Sequence, residues 1–325
     1  MAKVSIYVLK ALRKTYQKLW TRTEKKPICE QVPDKASQLI YSALTSNKPC
    51  MISRFGGFEL STVVNYLGVK NDNKRALNYI KGNEPDWWWN NSLIKSMHTN
   101  AGFFPPKVEK IEQFCELMLQ DIPQVDILGS WLNTENYIEN RLNANKIHLR
   151  LLEPFWSKSP WTSALKGKKV LIVHPFVETI EEQYKKRDLL FEKDILPDFE
   201  IKSLKAVQSI ATNDSPFKDW FEALAFMKNE IDKTDYDICL IGAGAYGFPL
   251  AAHVKRSGKK AIHMGGSLQL LFGIKGKRWE DPIYGVKEWG IPTGSYSSLM
   301  NEHWVRPGDH LKPKNAQQVE GACYW

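Results

Sequence analysis

Asp237-Ile238-Cys239-Leu240-Ile241-Gly242-Ala243-Gly244-Ala245-Tyr246-Gly247 is the stretch on which the fold turns. Four apolar residues in a row, too few for a helix and bounded by an acid and a glycine, read as a strand buried on both faces. Residues 249–256 behind the glycines read as a short helix closed by Gly258. The same grammar recurs on either side. Lys169-Val170-Leu171-Ile172-Val173 is a second continuous apolar run, ending at His174-Pro175, and Lys260-Ala261-Ile262-His263-Met264 is a third. Residues 200–206 alternate as a strand, and residues 178–191 and 217–232 read as helices. Strands alternating with helices give βαβ units and right-handed crossovers.

The expected fold class is therefore α/β, a Rossmann-like, mostly parallel sheet flanked by helices. The first half adds a helix at 33–45, a short buried strand through Cys50-Met51-Ile52-Ser53-Arg54, a turn at Gly56-Gly57 and a helix at 58–67. Residues 73–146 read as an aromatic-rich helical insertion broken at Gly82, Pro85, Gly102 and Pro105-Pro106, with one further strand at 124–128. The expected organisation is a basic amphipathic helix over 1–28 and one α/β domain over 29–325. That domain divides into a first half (29–153), a Rossmann-like second half (165–280) and a tail (281–325). Ligands in such sheets bind beyond the carboxyl ends of the strands. Four loops leave those ends, at 54–59, 174–175, 242–247 and 265–266, and they are expected to meet in one cleft.

Hydrophobic residues make up 43% and charged residues 25% of the 325, which excludes bulk disorder. No apolar run approaches the ~18 residues of a membrane span. Five scattered cysteines without metal spacing point to a reducing, cytoplasmic compartment. The net charge of +9 is unevenly placed: residues 1–26 carry +7 and the rest of the chain +2. Val4, Tyr7, Val8, Ala11, Leu12, Leu19 and Trp20 fall roughly on one helical face, with Lys10, Arg13, Lys14 and Lys18 beside or opposite. That pattern suits an anionic membrane surface on the inner face of the cytoplasmic membrane, and equally a first helix packed on the domain. The near-neutral body carries no basic stripe, so nucleic acid is not an expected partner.

Gly242, Gly244 and Gly247, with Tyr246 between them, match G-x-G-x-x-G in the strand-to-helix context the motif requires. Glycines there let the backbone approach a phosphate, and the helix N-terminus favours an anion. A dinucleotide site also wants an acid ~20 residues on. Residues 258–272 contain no Asp or Glu, and Gly265-Gly266 stand where the acid would be. A nucleotide diphosphate is therefore favoured over a nicotinamide cofactor, and a tight turn without a ligand is the plain alternative. Downstream, Lys275, Lys277 and Arg278 sit in a glycine-bounded loop that can cover a diphosphate or form a solvated turn.

Ser53-Arg54-Phe55-Gly56-Gly57-Phe58-Glu59 places one cation and one carboxylate on a strand-to-helix turn. Arg54 can grip a phosphate bidentately. Glu59 suits a helix cap, a general base or a metal ligand. This stretch resembles the Arg-Phe-Gly-Asp-Gly-Glu motif of the GT-D type glycosyltransferases: Arg54, Phe55, Gly56 and Glu59 match it. The glycine loop and Ile262-His263-Met264-Gly265 look like that family's second motif. The chain is also similar to proteins of bacterial capsule and O-antigen gene clusters. The resemblance implies hexosyl transfer from a nucleotide-sugar donor to a glycan or lipid-linked acceptor in surface polysaccharide synthesis. Gly57 stands where the family has the Asp of its Asp-x-Glu metal motif. Mn²⁺ or Mg²⁺ dependence is weakened by that departure, and no residue is assigned as a metal ligand.

Trp87 and Trp88 can stack on sugar rings on the acceptor side, with Asn100 beside them, or bury themselves in the core. His174, at a strand end, can bond a phosphate or act as a base. Walker, Gly-x-Ser-x-Gly and His-Glu-x-x-His motifs are absent from the sequence. The alternatives to a glycosyltransferase are an NAD(P)-dependent oxidoreductase and a non-catalytic nucleotide- or glycan-binding protein.

Overall fold

The computed structural model describes residues 3–20, 26–210, 215–319 and 321–325; Arg22, Glu24 and Lys25 of the basic segment lie outside them. The first half runs α1 (Lys3–Leu19), α2 (Pro33–Thr45), β1 (Cys50–Arg54), α3 (Gly57–Lys70), α4 (Ala76–Ile80), α5 (Asn91–Thr99), α6 (Val108–Asp121), β2 (Ile127–Ser130) and β3 (Asn145–His148). The second half runs β4 (Lys169–His174), α7 (Val177–Tyr184), α8 (Arg187–Leu190), β5 (Glu200–Lys205), α9 (Trp220–Lys233), β6 (Ile238–Ile241), α10 (Gly247–Arg256) and β7 (Lys260–His263). The short helices α11 (Leu268–Leu271), α12 (Lys277–Glu280) and α13 (Val286–Trp289) follow.

The strands form one parallel sheet in the order β3-β2-β1-β7-β6-β4-β5. The period of two along each strand builds two cores. Ile52, Val170, Ile172, Ile238, Leu240 and Ile262 face a layer completed by α2, α7, α11 and the C-terminal segment. Met51, Leu171, Val173, Cys239, Ile241 and Ala261 face a layer completed by α3, α5, α6, α9 and α10. Each fully buried side chain of this size contributes roughly 1.5–3 kcal/mol relative to exposure. Local signals set the helix starts. Pro33 opens α2. Asn90 caps α5 by accepting from the Ser92 and Leu93 N–H groups, and Asp219 caps α9 by accepting from Glu222 N–H at 2.9 Å.

Two expectations shift. Residues 73–146 supply helices, buried aromatics and, as β2, the strand expected at 124–128, but they also carry the start of β3. β3 places only Ile147 fully inside, because it is the edge strand beside β2. The charged helix expected over 178–191 is two pieces, α7 and α8. Among the described residues no helix is long and apolar enough to cross a membrane.

Candidate functional site

From β4 the chain passes outward to β5 and returns on the opposite flank of β4 as β6, from which it steps on to β7. Connections that diverge from neighbouring strands leave a crevice at the carboxyl ends. A cavity lies there. His174, Gly242, Gly244 and Tyr246 line it from the β4 and β6 loops, Gly266 from the β7 loop, Asn100 from the end of α5 and Tyr324 from the C-terminal segment. Because β1, β7, β6 and β4 are consecutive in the sheet, the four loops expected to converge are neighbours.

The glycines of this region differ in what they permit. A Cβ on Gly242 would stand 2.5 Å from His174 Cδ2 and 2.8 Å from the Gly265 carbonyl, and one on Gly247 would overlap the His263 ring. These two positions let strand ends and rings close-pack. Gly244 has φ +52° and nothing within 4 Å of an added Cβ, so it faces open space. Gly247→Ala should therefore destabilise the fold by about 1–3 kcal/mol, as overpacking does. Gly244→Ala should cost only about 1–2 kcal/mol, from its left-handed backbone. Urea midpoints of the two variants check the ranking; equal losses would mean that the motif's glycines share one role.

The polar groups on the cavity wall are fixed from behind. His174 Nδ1 accepts from Phe176 N–H at 3.0 Å, so the neutral ring carries its hydrogen on Nε2, the side that faces Gly242. Burial pushes the His174 pKa down to about 3, so the ring is a neutral donor. His263 is likewise buried, with its pKa pushed down to about 3 by burial and by Arg54; its Nδ1 faces the Ile241 carbonyl at 3.3 Å. Tyr246 stacks on Trp220 at 4.9 Å with 7° between the planes. Ser209 gives its single hydrogen to the Gly102 carbonyl at 2.6 Å, so the Tyr246 hydroxyl donates to Ser209 Oγ at 2.9 Å.

A charged group stands behind Tyr324. The Tyr324 ring packs on Gly266 so closely that a Cβ there would overlap it, and its phenol interacts electrostatically with Arg278, Arg54 and Glu59. Arg278 stacks over Tyr324 at 5.0 Å and Tyr284 at 5.9 Å, and its Nη2 meets Cys323 Sγ at 2.9 Å. Arg54 stacks over Trp131 at 5.3 Å. Burial pulls the Arg54 pKa below its ordinary value; Glu59 opposes this, and repulsion from Arg278 adds to it. Two guanidiniums thus lie within electrostatic reach of each other. The Glu59 carboxyl folds back over Gly56 and accepts from its own backbone N–H. Burial raises its pKa and Arg54 offsets only part of the rise.

The Arg54 side chain is positioned by β2. Trp131 Nε1 donates to the Phe55 carbonyl at 3.1 Å. Buried Glu135 accepts from the Trp131 and Leu132 N–H groups at 2.9 Å each, and from the Ser130 hydroxyl. Gln269 ties the C-terminal segment to the β7 loop, donating to the Lys275 carbonyl at 2.9 Å and the Tyr324 carbonyl at 3.1 Å.

Several expected residues fall elsewhere. Trp87 and Trp88 do not reach the cavity. They cluster with Tyr79 at 5.4 and 5.2 Å, beneath α1, where Lys10 lies over Trp88 at 5.4 Å and Arg13 over Tyr79 at 4.7 Å. Rings of this size at a helix entry gain more from burial than from a solvent-facing platform. Of the basic loop, only Arg278 joins the Arg54 group. Lys277 is exposed and borders a separate cavity with Arg306 and Lys312, and Lys275 is anchored through its backbone, N–H to the Val305 carbonyl at 2.7 Å. Tyr324, Trp131 and Glu135 carry no motif and are evident only in three dimensions. The donor set does not fit a divalent cation: Glu59 stands beside the Arg54 guanidinium, and Gly57 supplies no second carboxylate. Among the described residues no three His, Cys, Asp or Glu side chains converge. No family model, curated protein or solved structure matches the chain.

Proposed function

We propose that the protein is a glycosyltransferase that moves a sugar from a nucleoside-diphosphate sugar to a hydroxyl of a glycan or lipid-linked acceptor, in the assembly of a bacterial surface polysaccharide. The observation that carries this reading is that Arg54 lies in electrostatic reach of both Arg278 and the carboxylate of Glu59, beside a glycine-walled cavity at the sheet's switch point. Two cations suit a leaving group that gains negative charge. The donor's diphosphate would lie along Gly242 and Gly244, with His174 Nε2–H donating to a phosphate oxygen. Glu59 would take the proton of the acceptor hydroxyl as that oxygen bonds the anomeric carbon. The bond from that carbon to the diphosphate oxygen breaks, and the nucleoside diphosphate departs with the electron pair, met by Arg54 and Arg278. The raised pKa of Glu59 suits this role, since a base works best near the operating pH. His174, neutral with its acceptor nitrogen occupied, suits donation and not proton abstraction.

The end of β7 supports a sugar nucleotide over a nicotinamide cofactor. Where a ribose-binding acid is required, it presents His263 and Gly265 next to Arg54. The test is ligand stabilisation across a panel of UDP, GDP, CDP and dTDP with their sugars, and of NAD(H) and NADP(H). One nucleoside diphosphate at about 100 times its Kd should stabilise the protein by about 2.7 kcal/mol, and Gly244→Val should abolish the shift. Stabilisation by NAD(H) or NADP(H) alone would overturn the proposal. Saturable sugar-nucleotide binding without release of nucleoside diphosphate across an acceptor panel would identify a binding protein instead.

A further inference from the structure

α1 turns an apolar arc outward while Arg13, with half-buried Ile6 and Leu9, faces the body. At 3.6 residues per turn, Tyr7, Val8, Ala11, Leu12, Thr15 and Leu19 fall within an arc of about 140°. Arg13 stands opposite the middle of that arc, and it helps hold the helix to the body. Its guanidinium stacks on Tyr79 at 4.7 Å, donates to the Glu84 carbonyl at 3.2 Å and lies 3.9 Å from Asp86. Lys10, on the same side, covers Trp88. The apolar arc consequently points away from the protein: Tyr7 is 72% exposed, Val8 52%, Leu12 47% and Leu19 69%. The helix is thus apolar on both sides, and Ile6 and Leu9 with Arg13 seat it while the outward arc is left without a partner among the described residues. Exposed Lys14 borders one edge of the arc and exposed Lys18 lies just inside that edge, and the stacked pair Tyr16 and Trp20, 5.1 Å apart, borders the other.

We propose that α1 docks the protein on an anionic phospholipid bilayer, laying this outward arc into the headgroup–acyl boundary. The choice of a lipid surface over a second copy of the chain rests on charge. Residues 1–26, which include α1, carry +7, while the remaining chain carries +2. Two copies joined through this face would bring the two cationic segments together, whereas an anionic surface neutralises them. Apolar side chains flanked by lysines and a tryptophan match the chemistry of the interface. Docking leaves the Arg13 contacts intact, so no refolding is required. The proposal stands apart from the glycosyltransferase reading and does not depend on it.

The test is co-sedimentation of the full chain with phosphatidylcholine vesicles and with mixed phosphatidylcholine–phosphatidylglycerol vesicles, alongside sedimentation equilibrium without lipid. Binding is expected only with phosphatidylglycerol, and it should decline as salt rises past ~0.1 M. Lys14→Gln with Lys18→Gln should lower the partition coefficient roughly 10- to 30-fold. Val8→Glu with Leu12→Glu should lower it on the order of 100-fold, with the circular dichroism of the folded protein unchanged. The Trp20 emission, taken as the difference from Trp20→Phe, should shift to the blue on vesicle addition. Absence of binding to mixed vesicles at low salt would overturn the proposal. So would salt-independent binding to phosphatidylcholine alone, or self-association abolished by Val8→Glu with Leu12→Glu, which would assign the face to a second copy.

Discussion

Glu59→Gln should lower kcat by about 10²–10⁴-fold and leave the folded protein and its nucleotide affinity in place. Glutamine has the same shape, so it can lie over Gly56 as the carboxyl does, and its amide oxygen can still accept from the residue's own N–H. It cannot take a proton from an acceptor hydroxyl. Because Arg54 and Arg278 remain, the diphosphate still meets both cations, and the donor KM should hold or fall. Release of nucleoside diphosphate at saturating donor and acceptor checks the first expectation, and the melting temperature checks that folding is intact. Unchanged turnover would remove Glu59 from the chemistry and leave it the helix-start role its backbone contact already gives it. A loss confined to donor KM, with kcat preserved, would make it a partner of Arg54 rather than the base.

How much of this was readable beforehand depends on which residues signal locally. The strands β1, β4, β6 and β7 are buried on both faces, so each appears as an uninterrupted apolar run, and their loops could be named as one cluster. β3 buries only Ile147, and a single apolar residue between Lys146 and His148 carries no period. Gly242, Gly244 and Gly247 were legible as a motif but not as three separate functions. That distinction depends on whether the His174 ring, the His263 ring or open space faces the missing Cβ. Arg54 and Glu59 were legible because one short turn holds both. Of their neighbours, Arg278 was legible in the basic loop but not as Arg54's partner, and Tyr324 and Trp131, from two other distant segments, were not legible at all. The tryptophan triplet at 87–89 misled because stacking platforms and core aromatics have the same composition, and only packing against Tyr79 separates them.

The site should also make the protein acid-labile. His174 and His263 are buried and neutral, their pKa values pushed down to about 3, while in the unfolded chain a histidine titrates near 6.5. Their contribution is therefore fully present above pH ~6.5 and is lost as pH falls toward 3, because the unfolded state binds more protons in that window. At pH 5 each costs about 2 kcal/mol relative to pH 7 or above. Glu153 works in the opposite direction. Buried, and accepting from Tyr296 Oη at 2.8 Å and Trp156 Nε1 at 2.9 Å, it has its pKa raised by burial to about 7. Its folded form holds a proton that the unfolded chain releases near 4.5, so stability falls as pH rises from 4.5 to 7 and is regained on acidification. From pH 7 to 5 that regains about 2 kcal/mol and offsets one of the two histidines. These three groups together should cost about 2 kcal/mol over this interval; half-buried His148, its pKa pushed down to about 4, adds to the loss, and Glu59, its pKa raised by burial, works against it. Both bonds to Glu153 end on one oxygen, Oε2, which a glutamine amide oxygen can replace. Glu153→Gln should therefore keep the packing, remove the offset and steepen the loss by about 2 kcal/mol. His174→Asn with His263→Asn, which retains a polar atom near each Nδ1, should remove about 4 kcal/mol of the loss between pH 7 and 5. Urea unfolding at the two pH values measures all three. A wild type whose stability is flat or rises on acidification, with Glu153→Gln unchanged from it, would mean that these histidines are protonated and solvated in the folded protein. The neutral donor assigned to His174 at the cavity wall would fall with them.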